Sequence, residues 1–184
     1  GLSHFLTQER RFENYDETEM GFDLAFSESS TFTDHKGAIG IGTTKGLLYF
    51  HPDSIQKSRY SPSIVLTDFK LFNKPVEVGE NSVLKKQIDS TPKIVLDHNQ
   101  NIFSIEYATL EMKNPQSVQF AYMLEGLESE WNYVNGKRIA NYTNLSKGEY
   151  LFKVKSTNGD GIWIDNQKTL KIIVLPVFWE TPLA

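Results

Sequence analysis

Three closely spaced carboxylates, Glu125, Glu128 and Glu130, are the residues of this sequence whose type best suits catalysis. A glycoside hydrolase uses two such groups, one as the acid and the other as the base or nucleophile. The surrounding sequence marks no pocket, however, and carboxylates at this spacing are also typical of a solvated loop. We therefore interpret the cluster as the exposed face of a loop.

Two loops that contain glycine are candidates for binding phosphate or calcium. Residues 40–46 include a lysine but lack the Gly-Lys-Ser/Thr order of a phosphate-binding loop, and no helical pattern comes after them. In a calcium loop aligned on Gly161, the first and last ligand positions would be Ser156 and Gln167 instead of acidic residues. We therefore predict a turn between strands at residues 40–46 and a hairpin loop at residues 158–161, with no metal and no cofactor.

Thiol chemistry is excluded because the sequence contains no cysteine, which also rules out disulfides and thiolate metal sites. The four histidines, at positions 4, 35, 51 and 98, lack the short spacing of metal ligands. No nucleophile-elbow pattern supports catalysis by serine, histidine and aspartate. We therefore expect that this chain is not an enzyme.

The composition indicates a folded protein that does not contact nucleic acid. Of the 184 residues, 39% are hydrophobic and 23% are charged, which suits a packed core and not a disordered chain. The net charge is -4 and lysines and arginines form no long run, so a basic surface for nucleic acid is missing. No apolar run approaches the ~18 residues of a membrane span. The chain begins with Gly1, and we interpret it as part of a longer protein.

Alternating apolar and polar residues predict an all-β chain, whose strands must position any functional side chain. Period-two patterns cover residues 103–107, 119–124, 150–155 and 170–174. Turn sequences such as Asn135-Gly136 separate them. The best helical pattern, at residues 110–118, is interrupted by Pro115, so we expect no long helix there.

The first 60 residues contain a repeat in which every matched position is offset by 45 (46 minus 1): Gly1-Leu2-x-x-Phe5 and Tyr15 recur as Gly46-Leu47-x-x-Phe50 and Tyr60. A period of about 40–50 residues is typical of propeller blades, although two short copies also arise by chance. We predict strands at residues 22–26, 39–42 and 47–50, with a turn at residues 34–37. Residues 1–60 would then be one propeller-type blade plus one strand of the blade before. Without neighbouring blades, we expect this segment to self-associate.

The number and length of the strand patterns in residues 61–176 predict an immunoglobulin-like or fibronectin-III-like β-sandwich of seven or eight strands. Leu145, a turn with Gly148 and the alternating run from Tyr150 are typical of a tyrosine corner, in which the hydroxyl bonds the chain upstream. Trp131 fits the buried core aromatic of such a sandwich. Residues 177–184 are left as a short tail.

The order of motifs in the sandwich resembles the triple-tyrosine (Y_Y_Y) domain. The motifs are Phe120-x-Tyr122-x-Leu124-Glu-Gly126, then Trp131, Tyr142-Thr-Asn-Leu145, Gly148-x-Tyr150-x-Phe152 and Asn158-Gly159-Asp160-Gly161. The resemblance makes Tyr122, Tyr142 and Tyr150 the eponymous residues. The ending Pro176-Val177-Phe178-Trp179 is similar to the end of that domain, with Val177 in place of a second proline. Residues 37–52 resemble two-component regulator propeller repeats, with Ile41 in place of the usual aromatic residue.

The resemblance implies the periplasmic sensor region of a hybrid two-component system, in which propellers precede this sandwich, a membrane helix and a cytoplasmic histidine kinase. It implies a homodimeric parent protein on the periplasmic side of the bacterial inner membrane. An oligosaccharide ligand would be held mainly by propellers outside this chain. Phe178 and Trp179 would then lie beside the membrane, at headgroup level. The chain itself would relay the state of the propellers.

Trp163 carries the alternative interpretation, an extracellular carbohydrate-binding or glycosidase accessory module. An exposed tryptophan face next to the loop 158–161 would bind sugar directly, and the loop at residues 125–130 would assist. General burial tendencies favour packing of Trp163 against the sandwich edge.

Overall fold

The computed structural model describes residues 2–7, 10–15, 25–55, 60–112 and 114–177. They belong to two compact units, Gly1–Ser58 and Arg59–Ala184. The described strands of the N-terminal unit are β1 (Leu2–Leu6), β2 (Arg11–Tyr15), β3 (Phe26–Thr33), β4 (Ile39–Thr43) and β5 (Gly46–Phe50). Those of the C-terminal unit are β6 (Ile64–Leu71), β7 (Lys74–Pro75), β8 (Lys93–Leu96), β9 (Phe103–Thr109), β10 (Gln119–Glu125), β11 (Asn132–Asn135), β12 (Ile139–Tyr142), β13 (Gly148–Ser156) and β14 (Lys168–Val174).

The all-β prediction is confirmed. In the described part of the chain the only helical segments are two short 3-10 turns, Pro52–Ser54 and Ile88–Ser90. The described residues of the segment 110–118 form no helix, which is the effect expected of Pro115.

The N-terminal unit consists of a hairpin, β1 with β2, and an antiparallel sheet in the order β3-β4-β5. β1 and β5 are the two copies of the repeat. The described residues before the three-stranded sheet form a two-stranded hairpin, so the prediction of a single strand there is wrong. The strand predicted at residues 22–26 lies mostly outside the described residues. The described strand β3 spans Phe26–Thr33, a Ser/Thr-rich segment with little apolar alternation that pairs with β4. Phe22 and Leu24 lie outside the described residues.

The predicted turn at residues 34–37 connects β3 to β4 and is organised by Asp34. Its carboxylate accepts hydrogen bonds from the Tyr49 hydroxyl (2.5 Å) and from the backbone N–H groups of Ala38 (2.9 Å) and Lys36 (2.8 Å). These bonds, with that of Tyr49 the strongest, lower the pKa of Asp34. These hydrogen bonds therefore hold the turn at residues 34–37 in place, even though few side chains of this unit are buried.

Apolar side chains of the three-stranded sheet remain open to solvent. Ala38 and Ile41 are buried, whereas Phe32, Leu47 and Tyr49 are each at least half exposed. A single sheet of this size cannot cover both of its faces. These exposed apolar side chains support the expected self-association of this segment, which stays a prediction.

The C-terminal unit is a sandwich of two sheets. One has the strand order β11-β10-β13-β14-β8 and the other β12-β9-β6-β7. All neighbours are antiparallel except β14 and β8, which are parallel. Its nine described strands exceed the seven or eight predicted, because the two-residue β7 and the short β8 carry little periodicity.

The core lies between these sheets and follows the predicted alternation. Inward side chains on β13 and β14 are all buried: Tyr150, Phe152, Val154, Leu170, Ile172 and Val174. Phe69, Phe103 and Tyr107 of the four-stranded sheet pack opposite them, and Phe120 of β10 lies beside them in the same sheet. Burial contributes roughly 1.5–3 kcal/mol for each large side chain, so this core sets the stability of the sandwich.

Candidate functional site

The outward face of the five-stranded sheet carries a lysine surrounded by aromatic rings. The Lys155 ammonium lies 4.4 Å from the ring centre of Trp131, 5.3 Å from that of Trp163 and 5.6 Å from that of Tyr133. Tyr133 of β11 and Lys155 of β13 both pair with Ala121 of the strand between them, β10. They therefore lie on the same face of the sheet, one on each side of Ala121. We call these four residues, Trp131, Tyr133, Lys155 and Trp163, the outer aromatic cluster. The cation stabilises the cluster through the electron-rich ring faces.

Trp131 was expected in the core, and this expectation is wrong. Its ring lies on the outward face over Lys155 and remains partly exposed. The central aromatic positions of the core belong instead to Tyr107, Phe120 and Phe152. Trp131 lies two residues before Tyr133, whose side chain is 63% exposed, and strand alternation would have suggested one common face for both.

Trp163 both packs and remains accessible. Its ring meets Tyr133 edge to face, with centroids 5.3 Å apart and planes at 87°. The isolated bridge between Thr157 and Trp163 anchors its backbone. Trp163 is 39% exposed, so part of its ring could contact a flat apolar ligand such as a sugar face.

Tyr150 forms the expected tyrosine corner. Its ring is buried and its hydroxyl donates to the carbonyl oxygen of Ser146 at 2.9 Å. Gly126 has φ +100°, and a Cβ there would lie 3.1 Å from the Tyr150 ring and from the Glu149 carbonyl oxygen. Glycine at this position therefore lets two turns close against Tyr150, and buried Leu145 completes the corner.

Tyr122 and Tyr142 pack against each other at the border of the core. Their rings are perpendicular, with centroids 6.4 Å apart. The Tyr142 hydroxyl donates to the Glu128 carboxylate at 3.4 Å. Burial, and then the charge of Glu128, raises the pKa of each of these tyrosines. Both hydroxyls therefore stay protonated at neutral pH and serve packing.

Tyr107 is a further core tyrosine, and no sequence motif marks it. Its ring packs on Phe120, Tyr122 and Phe152. Among the described residues its hydroxyl has no hydrogen-bond partner, and burial, followed by Tyr122, raises its pKa. The alternation of β9 predicted an inward aromatic residue here but gave no sign that it would join the tyrosine cluster.

The acidic loop does not assemble a catalytic pair of free carboxylates. Glu128 accepts hydrogen bonds from the Leu124 backbone N–H (2.6 Å) and the Asn132 amide (2.8 Å). Glu125 pairs with Lys153 at 2.5 Å. Glu130 is exposed. Two of the three carboxylates thus hold the loop and its neighbouring strand in place.

The loop at residues 158–161 is the predicted hairpin loop. Asn158 Oδ1 accepts from the backbone N–H groups of Asp160 and Ile162, each at 3.0 Å. Gly161 has φ +72°, and the Gly159 N–H donates to the buried Glu111 carboxylate at 2.9 Å. Within the described ranges no group of three or more acidic or histidine side chains is placed to hold a metal ion.

The sandwich has two ends with different connections. At one end lie Ile64, Thr109, Ser156 and Lys168, and we call this the leading end because the chain enters the sandwich here. At the other lie Leu71, Phe103, Gly148 and Val174, which we call the trailing end. β14 runs from the leading to the trailing end over about 20 Å. The Leu175 N–H then bonds to the Leu96 carbonyl oxygen at 2.8 Å.

These features coincide with a known family. Residues 111–175 match the family model named "Y_Y_Y domain". The second part of the sandwich is thus similar to the Y_Y_Y domain. Of the residues that the resemblance suggested as its motif, Tyr122, Tyr142 and Tyr150 lie in or beside the core. Gly126, Leu145 and Gly148 lie at the tyrosine corner, and Gly161 lies in the hairpin loop. Phe178 and Trp179 lie outside the described residues.

The similarity to known proteins extends over both units. The chain is 32% identical over 182 residues to "Histidine kinase P4" of Formosa agariphila, a match that covers 98% of this chain and 13% of that protein. It also resembles a structure described as the extracellular domain of the hybrid two-component system BT3049 from B. thetaiotaomicron, with 28% identity, a TM-score of 0.69, and coverage of 95% of this chain and 23% of that one. A structure described as the extracellular domain of the one-component system BT4673 from the same species gives 25% identity, a TM-score of 0.59, and coverage of 96% and 23%.

The expected resemblance to sensor regions of hybrid two-component systems is therefore confirmed. The chain spans 13% of the length of the curated relative and about a quarter of the length of the solved ones. In the described residues no helix is long and apolar enough to cross a membrane.

Proposed function

We propose that this chain is the membrane-proximal relay of a periplasmic ligand sensor. In this proposal the parent protein is a homodimeric hybrid histidine kinase of the bacterial inner membrane. Propellers outside the chain bind an oligosaccharide, and the Y_Y_Y sandwich passes their rearrangement to a membrane helix that comes after it. The chain itself performs no catalysis, and the rearrangement must favour one of two global states of the parent.

The placement of the leading and trailing ends supports this proposal most directly. A displacement that arrives along the chain at Pro62 reaches one end of a close-packed sandwich, and the chain continues from Val174 at the other end. Close-packed cores transmit strain because they have few voids into which side chains can yield. Such a sandwich suits the transfer of a movement better than the capture of a ligand.

An insertion in the parent kinase tests the relay. Three flexible residues, Gly-Ser-Gly, placed after Leu175 would uncouple the sandwich from the membrane helix. We expect ligand binding to persist while oligosaccharides no longer change autophosphorylation. The same insertion after Gly136, in the exposed turn that connects β11 to β12 and has open space around it, is the matched control and should leave the response intact. A retained response with the insertion after Leu175 would contradict the relay.

Direct sugar binding by the sandwich is the second candidate function, and the accessible rings of Trp163 and Tyr133 favour it. Calorimetric titration of the 184-residue chain with a panel of oligosaccharides, before and after Trp163→Ala, separates the two functions. The relay predicts no binding heat for either protein. Binding that Trp163→Ala abolishes would establish the accessory-module function.

A further inference from the structure

Asn166 joins the segment that enters the sandwich to the opposite sheet. Its Nδ2 group donates to the Pro62 carbonyl oxygen at 2.9 Å and to Ser156 Oγ at 2.7 Å. Its Oδ1 accepts from the Ser156 backbone N–H at 3.0 Å. Pro62 lies just before β6 of the four-stranded sheet, whereas Ser156 is the buried end of β13 in the five-stranded sheet. One amide therefore bridges both sheets at the leading end.

Asp89 makes a second bridge beside the first. Its Oδ1 accepts from the Leu66 backbone N–H at 2.9 Å, and the same oxygen pairs with the Lys168 ammonium at 2.8 Å. The Lys168 ammonium also donates to the Asp89 carbonyl oxygen at 3.2 Å. Although burial opposes it, the hydrogen bonds from Lys168 and Leu66 lower the pKa of Asp89, so its carboxylate stays charged at neutral pH.

The Asp89 bridge connects the first strand of the sandwich, β6, to the start of its last strand, β14, and the Asn166 bridge connects the residues just before these two strands. Asn166 lies two residues before Lys168, the first residue of β14, and β14 then runs directly to the trailing end. Apolar contacts across the core resist separation of the sheets but are not directional. Hydrogen bonds with fixed donors and acceptors set the position of one strand against another.

We propose that Asn166 and Asp89 are positioning residues that couple displacement of the entering segment at Pro62 to β14. This inference rests on the proposed relay and adds the polar contacts through which the relay would act. A movement of β6 would be passed to β14 at its first residues, in addition to the apolar contacts through the remainder of the core.

Force spectroscopy along two axes of the chain tests the coupling. Because the sequence has no cysteine, pairs of handles can be attached at Ser61→Cys with Leu175→Cys, and at Lys74→Cys with Asn135→Cys, all at exposed positions. Asn166→Asp keeps the acceptor for Ser156 but replaces the donor to Pro62 with a carboxylate. Gln167→Glu makes the same chemical change at the neighbouring side chain and is the control.

At a fixed force, we expect Asn166→Asp to raise the rate of opening along the 61–175 axis roughly tenfold. The rate of opening along the 74–135 axis should rise far less. Asp89→Asn should act on the same axis and keeps the test available if Asn166→Asp does not fold. Equal acceleration on both axes would show a general loss of stability and overturn the coupling. No acceleration on either axis would overturn it as well. The insertion after Leu175 in the parent kinase tests the relay separately. Failure of the coupling through Asn166 and Asp89 can therefore be distinguished from failure of the relay itself.

Discussion

Tyr150→Phe removes one hydroxyl from the tyrosine corner and leaves the buried ring in place. The lost hydrogen bond to Ser146 is 2.9 Å long, and such a bond contributes about 1 kcal/mol to the free energy of unfolding. Ser146 is exposed, so water can reach its carbonyl oxygen, and we expect a loss of about 0.5–1 kcal/mol rather than a larger penalty for an unsatisfied acceptor.

Urea unfolding followed by tryptophan fluorescence measures this loss in the sandwich alone, because all three tryptophans lie after residue 130. With a slope of roughly 1–2 kcal/mol per molar urea, the midpoint should fall by about 0.5 M. Tyr133→Phe, which removes an exposed hydroxyl, is the control and should shift the midpoint little. A midpoint for Tyr150→Phe equal to that of the control would refute the role assigned to the corner.

Further predictions concern the whole chain. Chelators and reductants should leave the melting temperature unchanged, because the sequence has no cysteine and the described residues have no metal-ligand cluster; a fall of several degrees with chelator would overturn the interpretation of the loop at residues 158–161. The free energy of unfolding should decline above about pH 10, because tyrosines ionise there in the unfolded chain while Tyr107 and Tyr142, whose pKa values are raised by folding, stay protonated in the folded one. A free energy of unfolding that stays constant from about pH 9 to 11 would contradict this. Light scattering should show self-association of the chain at high concentration, and removal of residues 1–60 should abolish it; a monomeric intact chain would disprove this expectation.

The strands and the tyrosine corner could be predicted from the sequence because their signals are local. Period-two alternation identified Tyr150, Phe152 and Val154 as inward residues, and turn glycines marked the ends of their strand. Most of the strand at Phe26–Thr33 was not predicted because its serines and threonines carry little apolar alternation, and pairing with β4 decides its position.

The candidate site was harder to predict because it depends on contacts between distant segments. Trp131 has the size of a core residue, and only the partner strand shows that it covers Lys155 on the outward face. Asn166 contacts Pro62 across 104 positions of sequence, and nothing local distinguishes its amide from that of an exposed loop residue. Tyr107 was expected to face inward, but its place among the other tyrosines depends on the packing of two sheets.

The distance between the trailing ends of two protomers tests the relay most directly. Spin labels at Leu175→Cys in the otherwise cysteine-depleted parent kinase would report this distance by pulsed electron paramagnetic resonance, with and without an oligosaccharide that activates the kinase. Labels at Ser61→Cys give the corresponding distance at the leading end. The relay predicts that activation changes both distance distributions. An activated kinase in which the distance at residue 61 changes while that at residue 175 does not would contradict it.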